Sequence, residues 1–196
     1  MLSSMHRSRV RQWLILTCLL LGVLFGATSV SAQSGSVESP EVVTQVKAAY
    51  LYKFGNYIEW PPASFDSSES PIRIGVAGAS QLSEILQRLV VGRTISGRSM
   101  EVLDLRPGDS VAGLHILFIG DPSGDRLEEI FSEVSGRPIL TVTDSERVFA
   151  LGSMINFVVV DGKLRFDIAP RSARPAGINI SARLLTAARK VITSPS

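Results

Sequence analysis

The chain holds one cysteine, two histidines and three tyrosines in 196 residues. The cysteine, Cys18, lies inside an apolar run close to the amino terminus. If that run is removed on export, the mature protein has no thiol, no disulfide and no thiolate metal site. Its fold must then be held by the core alone, even in an oxidising compartment. Histidine is nearly as scarce, His115 being the only one beyond residue 6. No GxSxG, HExxH, P-loop or GxGxxG spacing occurs, so the signatures of nucleophilic, zinc-dependent and nucleotide-binding enzymes are missing. No repeat of 20–50 residues is visible.

What is present begins with a leader. Arg7, Arg9 and Arg11 precede a fifteen-residue apolar run from Trp13 to Ala27. Small residues follow, with Val30 and Ala32 three and one before the expected cut. This is the order of a cleavable secretory signal peptide over residues 1–32. The run is shorter than the roughly 20 apolar residues of a spanning helix. Cys18 is not at the cut, which argues against a lipoprotein. Cleavage after Ala32 predicts a periplasmic protein of 164 residues that starts at Gln33. The formal charge of +2 then changes sign: without the three leader arginines, 17 basic residues stand against 18 acidic ones. A nearly neutral mature chain carries no bulk signal for nucleic acid.

Gln33–Pro40 (QSGSVESP) is polar and small, and reads as the start of a flexible lead-in over residues 33–44. One domain over 45–193 follows. A first helix is expected from Glu41 to Glu59, stopped by Pro61 and Pro62, with Gly55 weakening it. Ile72–Val76, Met100–Leu105, His115–Ile119 and Ile139–Val142 read as strands. Helices are expected between them, one capped by Ser80 and carrying Leu82, Ile85, Leu86 and Leu89 on one face, and one started by Ser123 or Asp125. Asp161-Gly162 between Met154–Val160 and Lys163–Ile168 is a strong two-residue hairpin signal. A last helix from Ser181 should bury Leu184, Leu185, Ala188, Val191 and Ile192. The alternation predicts an α/β layered domain: a mixed, partly parallel sheet with helices on its faces.

Candidate sites follow from chemistry and position. Gly78 ends a strand–turn–helix element whose amides are able to meet an anion, although an ordinary βα turn has the same sequence. Asp121 and Asp144 follow strands, where open α/β sheets take ligands. With Gly78 they form a candidate ligand pocket, while acids at helix starts also serve as caps. His115 sits in an apolar strand (LHILFIG) with no nucleophile in recognisable spacing, and reads as a hydrogen-bonded structural residue. Tyr50, Phe54 and Tyr57 share a helical face expected to be core. Tyr52 leaves that face and Trp60 adjoins two prolines, so both are candidates for a partner or dimer surface. Residues 163–190 hold seven basic side chains and one acid. Arg171, Arg174 and Arg183 are the candidates there for contact with an acidic partner or an anionic membrane surface, against the plainer reading of a solvated face.

Several of these segments together resemble the YfiR-like family of exported bacterial proteins. VKAAYLYKFGNYIEWP is similar to its opening helix, LHILFIG to its third-strand segment and ILTVTDSERVFALGSMINF to its glycine-containing block. FDIAPRSARPAGINISARLLTAARKVI follows its ending without a gap. The resemblance runs from Val46 to Val191. Three positions depart from it. Leu114 stands where the family often has cysteine, so a family disulfide does not transfer. Ser153 replaces the second glycine of the block, and Ala169 an asparagine. The resemblance implies a non-enzymatic, dimeric periplasmic regulator without a cofactor. It would act on the periplasmic part of an inner-membrane diguanylate cyclase and be relieved by an outer-membrane lipoprotein. The alternative is a periplasmic module that binds a small molecule.

Overall fold

The computed structural model describes residues 39–120 and 124–193. The leader, the cut after Ala32, the lead-in up to residue 38, Asp121 and Ser123 lie outside these residues. Helix α1 (Pro40–Phe54) starts where its chemistry allows: Pro40 opens the first turn and the Ser39 side chain accepts from the Val42 amide. Residues 40–44 are therefore helical rather than part of a lead-in. Its inward residues are Ala48, Leu51 and Phe54.

The helix stops at Phe54, five residues before the expected end. Residues Gly55–Tyr57 form a 3-10 turn, and β1 (Ile58–Glu59) pairs antiparallel with β8 (Asn179–Ile180). Gly55 makes this possible because its backbone lies against Ile95. A Cβ there would fall 2.5 Å from Ile95 Cδ1.

Among the described residues the main sheet has seven strands: β2 (Ile72–Ala77), β3 (Met100–Leu105), β4 (Ile116–Ile119), β5 (Leu140–Thr143), β6 (Ile155–Val160), β7 (Lys163–Ile168) and β9 (Lys190–Val191). Their order is β3-β2-β4-β5-β6-β7-β9. The pairs from β3 through β6 are parallel, β6–β7 is antiparallel, and β7–β9 is parallel again. The layered mixed sheet expected from the alternation is thus observed. Strands β4 and β5 are buried along their whole length, as expected of parallel strands covered on both faces. Asp161 and Gly162 both adopt positive φ, 51° and 70°, which a type I′ hairpin turn requires.

Helices α1 and α2 (Ser80–Val90) cover one face, over Ile74, Val76, Ile116, Phe118, Val142 and Ile155. Helix α3 (Gly124–Val134) covers the other, where Leu127, Ile130 and Val134 meet Leu117 and Ile119. Short helices α4 (Glu146–Ala150) and α5 (Pro170–Ala173) flank the later strands. The N-cap of α2 is Ala79, with no side-chain cap, so Ser80 opens the helix rather than capping it. The last helix, α6 (Ala182–Ala187), is shorter than its periodicity predicts. Ser181 does cap it, and Leu184 is buried. The chain then leaves the helix, and Val191 pairs with Ile168 as part of β9 instead of filling a helical stripe. Among the described residues, no helix is long and apolar enough to cross a membrane.

Candidate functional site

Strand register aligns one transverse row, at the carboxyl ends of β2, β4, β5 and β7 and the amino ends of β6 and β9: Ala77, Ile119, Thr143, Asn156, Asp167 and Lys190. Partners in register share a face of the sheet. The first two members are apolar and lie in the core region under α3. From β5 to β7 the row turns polar while staying buried: Thr143 is fully enclosed, Asn156 is 1% exposed and Asp167 4%, and the row ends at exposed Lys190.

A buried polar group needs partners. Thr143 Oγ1 donates to the Ile119 carbonyl at 2.7 Å and accepts from the Ser145 amide at 3.1 Å, which fixes the turn into α4. That turn delivers Glu146, whose Oε1 accepts from Asn156 Nδ2 at 3.1 Å. Asp167 is held by Arg189, which donates from Nε at 2.8 Å and from Nη2 to the second carboxylate oxygen. The hydrogen bond to Asp167 raises the Arg189 pKa above its ordinary value, with smaller support from the charges of Asp167 and Glu146. Asn156 Oδ1 is the exception: it is buried and accepts no hydrogen bond from the described residues.

Above this row lies a cleft of about 530 Å³, with Asp167 and Arg189 among its lining, together with Glu146, Phe149, Arg171 and Lys190. The Asp167–Arg189 pair is self-neutralising, and Arg171 and Lys190 against Glu146 leave the lining with one net positive charge. Such a surface suits carboxylate or other anionic groups of a partner. Among the described residues there is no group of three His, Cys, Asp or Glu side chains able to hold a metal ion. Arg189→Ala is expected to lower the melting temperature well below that of Lys190→Ala. The first leaves a buried carboxylate without its counter-charge, whereas the second removes an exposed side chain. Parallel thermal melts of the two variants check this.

The residues singled out from sequence fall in separate places. Arg171 lines the cleft; Arg174 and Arg183 are exposed but do not line it. Gly78 ends β2 at φ 73°, and a groove of about 340 Å³ there is lined by Gly78, Ser80, Asp104, Arg106 and Arg126. Asp144 ends β5, two strands away, and its carboxylate meets Lys47 of α1 at 2.5 Å. Asp144 is not among the residues that line the Gly78 groove. Tyr52 is half-buried against the core, with the Arg93 guanidinium 5.4 Å from its ring centroid. Trp60 is also half-buried, and its Nε1–H donates to the His115 carbonyl at 3.2 Å. The polar row itself escapes motif reading. Its trace in the sequence is Asn156, the one polar residue of INFVVV, and Asp167, the one acid of KLRFDI.

No curated protein sequence matches the chain significantly. A family model described as YfiR/HmsC-like matches residues 44–189, from the first turns of α1 to the arginine that holds Asp167. The chain belongs to the YfiR/HmsC-like family.

Proposed function

We propose that this protein is a non-enzymatic periplasmic regulator that binds the periplasmic part of an inner-membrane diguanylate cyclase and lowers its output. The observation that carries this reading is the extent of the family match, which takes in every helix and nearly every strand of the described domain. Exposed Arg171, Arg174 and Arg183, with Lys190 beside the cleft, supply cations for an acidic partner surface. Half-buried Tyr52 and Trp60 are the apolar candidates for a partner or dimer contact. Relief by an outer-membrane lipoprotein would need the same surface or one that overlaps it.

The test is a deletion strain. Loss of the gene should raise cellular cyclic-di-GMP, and the exported chain should restore it. A copy without residues 1–32, kept in the cytoplasm, should not. The Arg171→Glu, Arg174→Glu, Arg183→Glu triple variant should fold normally yet fail to restore the level. Rescue by the cytoplasmic copy, or an unchanged cyclic-di-GMP level on deletion, would overturn the reading. Intact mass of the exported protein should correspond to a chain that starts at Gln33.

A further inference from the structure

We propose that the bare face and tip of the β6–β7 hairpin form a membrane-contact surface, which lays the protein against a bilayer of anionic phospholipid. The regulatory reading does not enter into this, because the contact is measured on the isolated protein.

Charge is divided unevenly along the chain. Residues 39–144 carry nine basic and 14 acidic side chains, whereas residues 145–193 carry eight basic and three acidic ones. The fold keeps the two stretches apart. The order β3-β2-β4-β5-β6-β7-β9 gathers the strands that the basic stretch gives to the main sheet, β6, β7 and β9, at one end. An anionic surface turns a molecule polarised in this way so that its basic end faces the surface.

One face of the hairpin at that end is left bare. Register pairs Val158 with Arg165 and Val160 with Lys163, so these four side chains share the face of Asn156 and Asp167. The core under α3 reaches Val148 of α4 and holds no residue of β6 or β7. Val158 and Val160 belong to neither core; they are half-buried, with Arg165 and Lys163 exposed beside them. At the tip, Val159 of the opposite face is 55% exposed. Among the described residues, Lys163 and Arg165 have no acidic partner. Asp161, in the turn, is the one acid of the hairpin outside the Asp167–Arg189 pair.

Three valines and two free cations at the end of a two-stranded projection have the chemistry of an interfacial contact. The valines suit the boundary of the acyl region, and the long stems of Lys163 and Arg165 let their charges stay among the phosphates. The two cations do not converge on one point. They stand two residues apart on one strand, about 7 Å, and rise from a flat face. A layer of headgroups meets both at once and covers the valines between them, which a single carboxylate does not.

Co-sedimentation of the exported protein with vesicles tests this, using phosphatidylcholine alone and phosphatidylcholine mixed with phosphatidylglycerol. Binding is expected to the mixed vesicles only. It should fall as salt rises from about 0.1 to about 1 M, which shortens the screening length from about 10 to about 3 Å. Lys163→Gln with Arg165→Gln should weaken binding about thirtyfold, or about fivefold for each cation held at an anionic surface. Lys53→Gln with Arg88→Gln makes the same change in net charge at exposed positions of α1 and α2, and should weaken it far less. The place of contact is read with a single thiol. Beyond Cys18 the chain has no cysteine, so Val159→Cys gives the exported chain one site for a polarity-sensitive fluorophore. Its emission should shift to the blue on the mixed vesicles. A label at Val91→Cys should not shift: Val91 is 77% exposed and follows α2, which packs on β2 and β3 at the other end of the sheet. The proposal is overturned by a failure to bind the mixed vesicles, by equal binding to neutral ones or by an equal loss in the two double variants. A blue shift at Val91→Cys with none at Val159→Cys overturns it too, as does binding of polyglutamate in place of vesicles, which would assign the face to an acidic protein.

Discussion

Phe54→Ala is expected to lower unfolding free energy by about 3–5 kcal/mol, the range for deleting a buried aromatic side chain. Phe54 is the last residue of α1 and is 1% exposed. Its ring stacks on Phe157 of β6 at 5.8 Å and 18°, and meets Phe166 of β7 edge-on at 5.3 Å. Tyr50, one turn earlier, touches both of the same rings at 5.9 and 5.5 Å. The four rings join the first helix to the hairpin, elements about a hundred residues apart in the chain. Truncating Phe54 opens a void between partners that cannot close over it, because α1 is also fixed by Ala48 and Leu51. Tyr50→Ala should cost less, as its ring is only half-buried and the other three still pack. Denaturant unfolding of both variants provides the comparison. A loss below about 1 kcal/mol for Phe54→Ala would mean that α1 docks on the sheet by some other contact.

The central strands of this fold are legible because burial on both faces leaves dense apolar runs such as ILFI of β4. The hairpin is legible because Asp161-Gly162 suits a turn with two positive φ angles. Where reading by period fails, a partner distant in sequence has overridden it. Tyr57 and Ile58 sit at helical steps from Tyr50 and Phe54, yet Ile58 pairs with Ile180 and the Tyr57 carbonyl accepts from the Ser181 amide. In the same way Val191 and Ile192 continue the helical spacing of Leu184, but the edge of β7 was open and β9 took it. Neither pairing has a local signature.

The polar row shows the same limit at the level of function. Asn156 and Asp167 face each other only once the hairpin register is set, and Thr143 joins them only through the parallel pairing of β5 with β6. Arg189 reaches Asp167 because α6 ends early and β9 turns back along β7. Charge counting found the basic tail that contains Arg171 and Arg189. A charge count does not separate the arginine that neutralises a buried carboxylate from Arg171, Arg174 and Arg183, which are exposed.

Gly120→Ala is expected to destabilise the protein by about 1–3 kcal/mol, the usual cost of forcing extra volume into a packed region. The position directly follows β4, beside the end of β2, where the strand order reverses and open α/β sheets tend to bind ligands. Here the two backbones close on each other. The Gly120 amide donates to the Ala77 carbonyl at 2.8 Å, and a Cβ on Gly120 would fall 2.8 Å from the Gly78 carbonyl oxygen and 3.2 Å from that of Ala77. These are main-chain atoms of a buried strand and its turn, so relief requires β2 and β4 to part. Gly75→Ala is the matched comparison. Its Cβ would also be crowded, at 2.5 Å from Leu114 and 2.9 Å from Leu105, but by the ends of leucine side chains that can change rotamer. It should therefore cost less than Gly120→Ala. Equilibrium denaturation of the pair measures the difference. If Gly120→Ala is neutral, the crevice between β2 and β4 is wider than this contact implies, and the Gly78 turn returns as a place where a small ligand could sit.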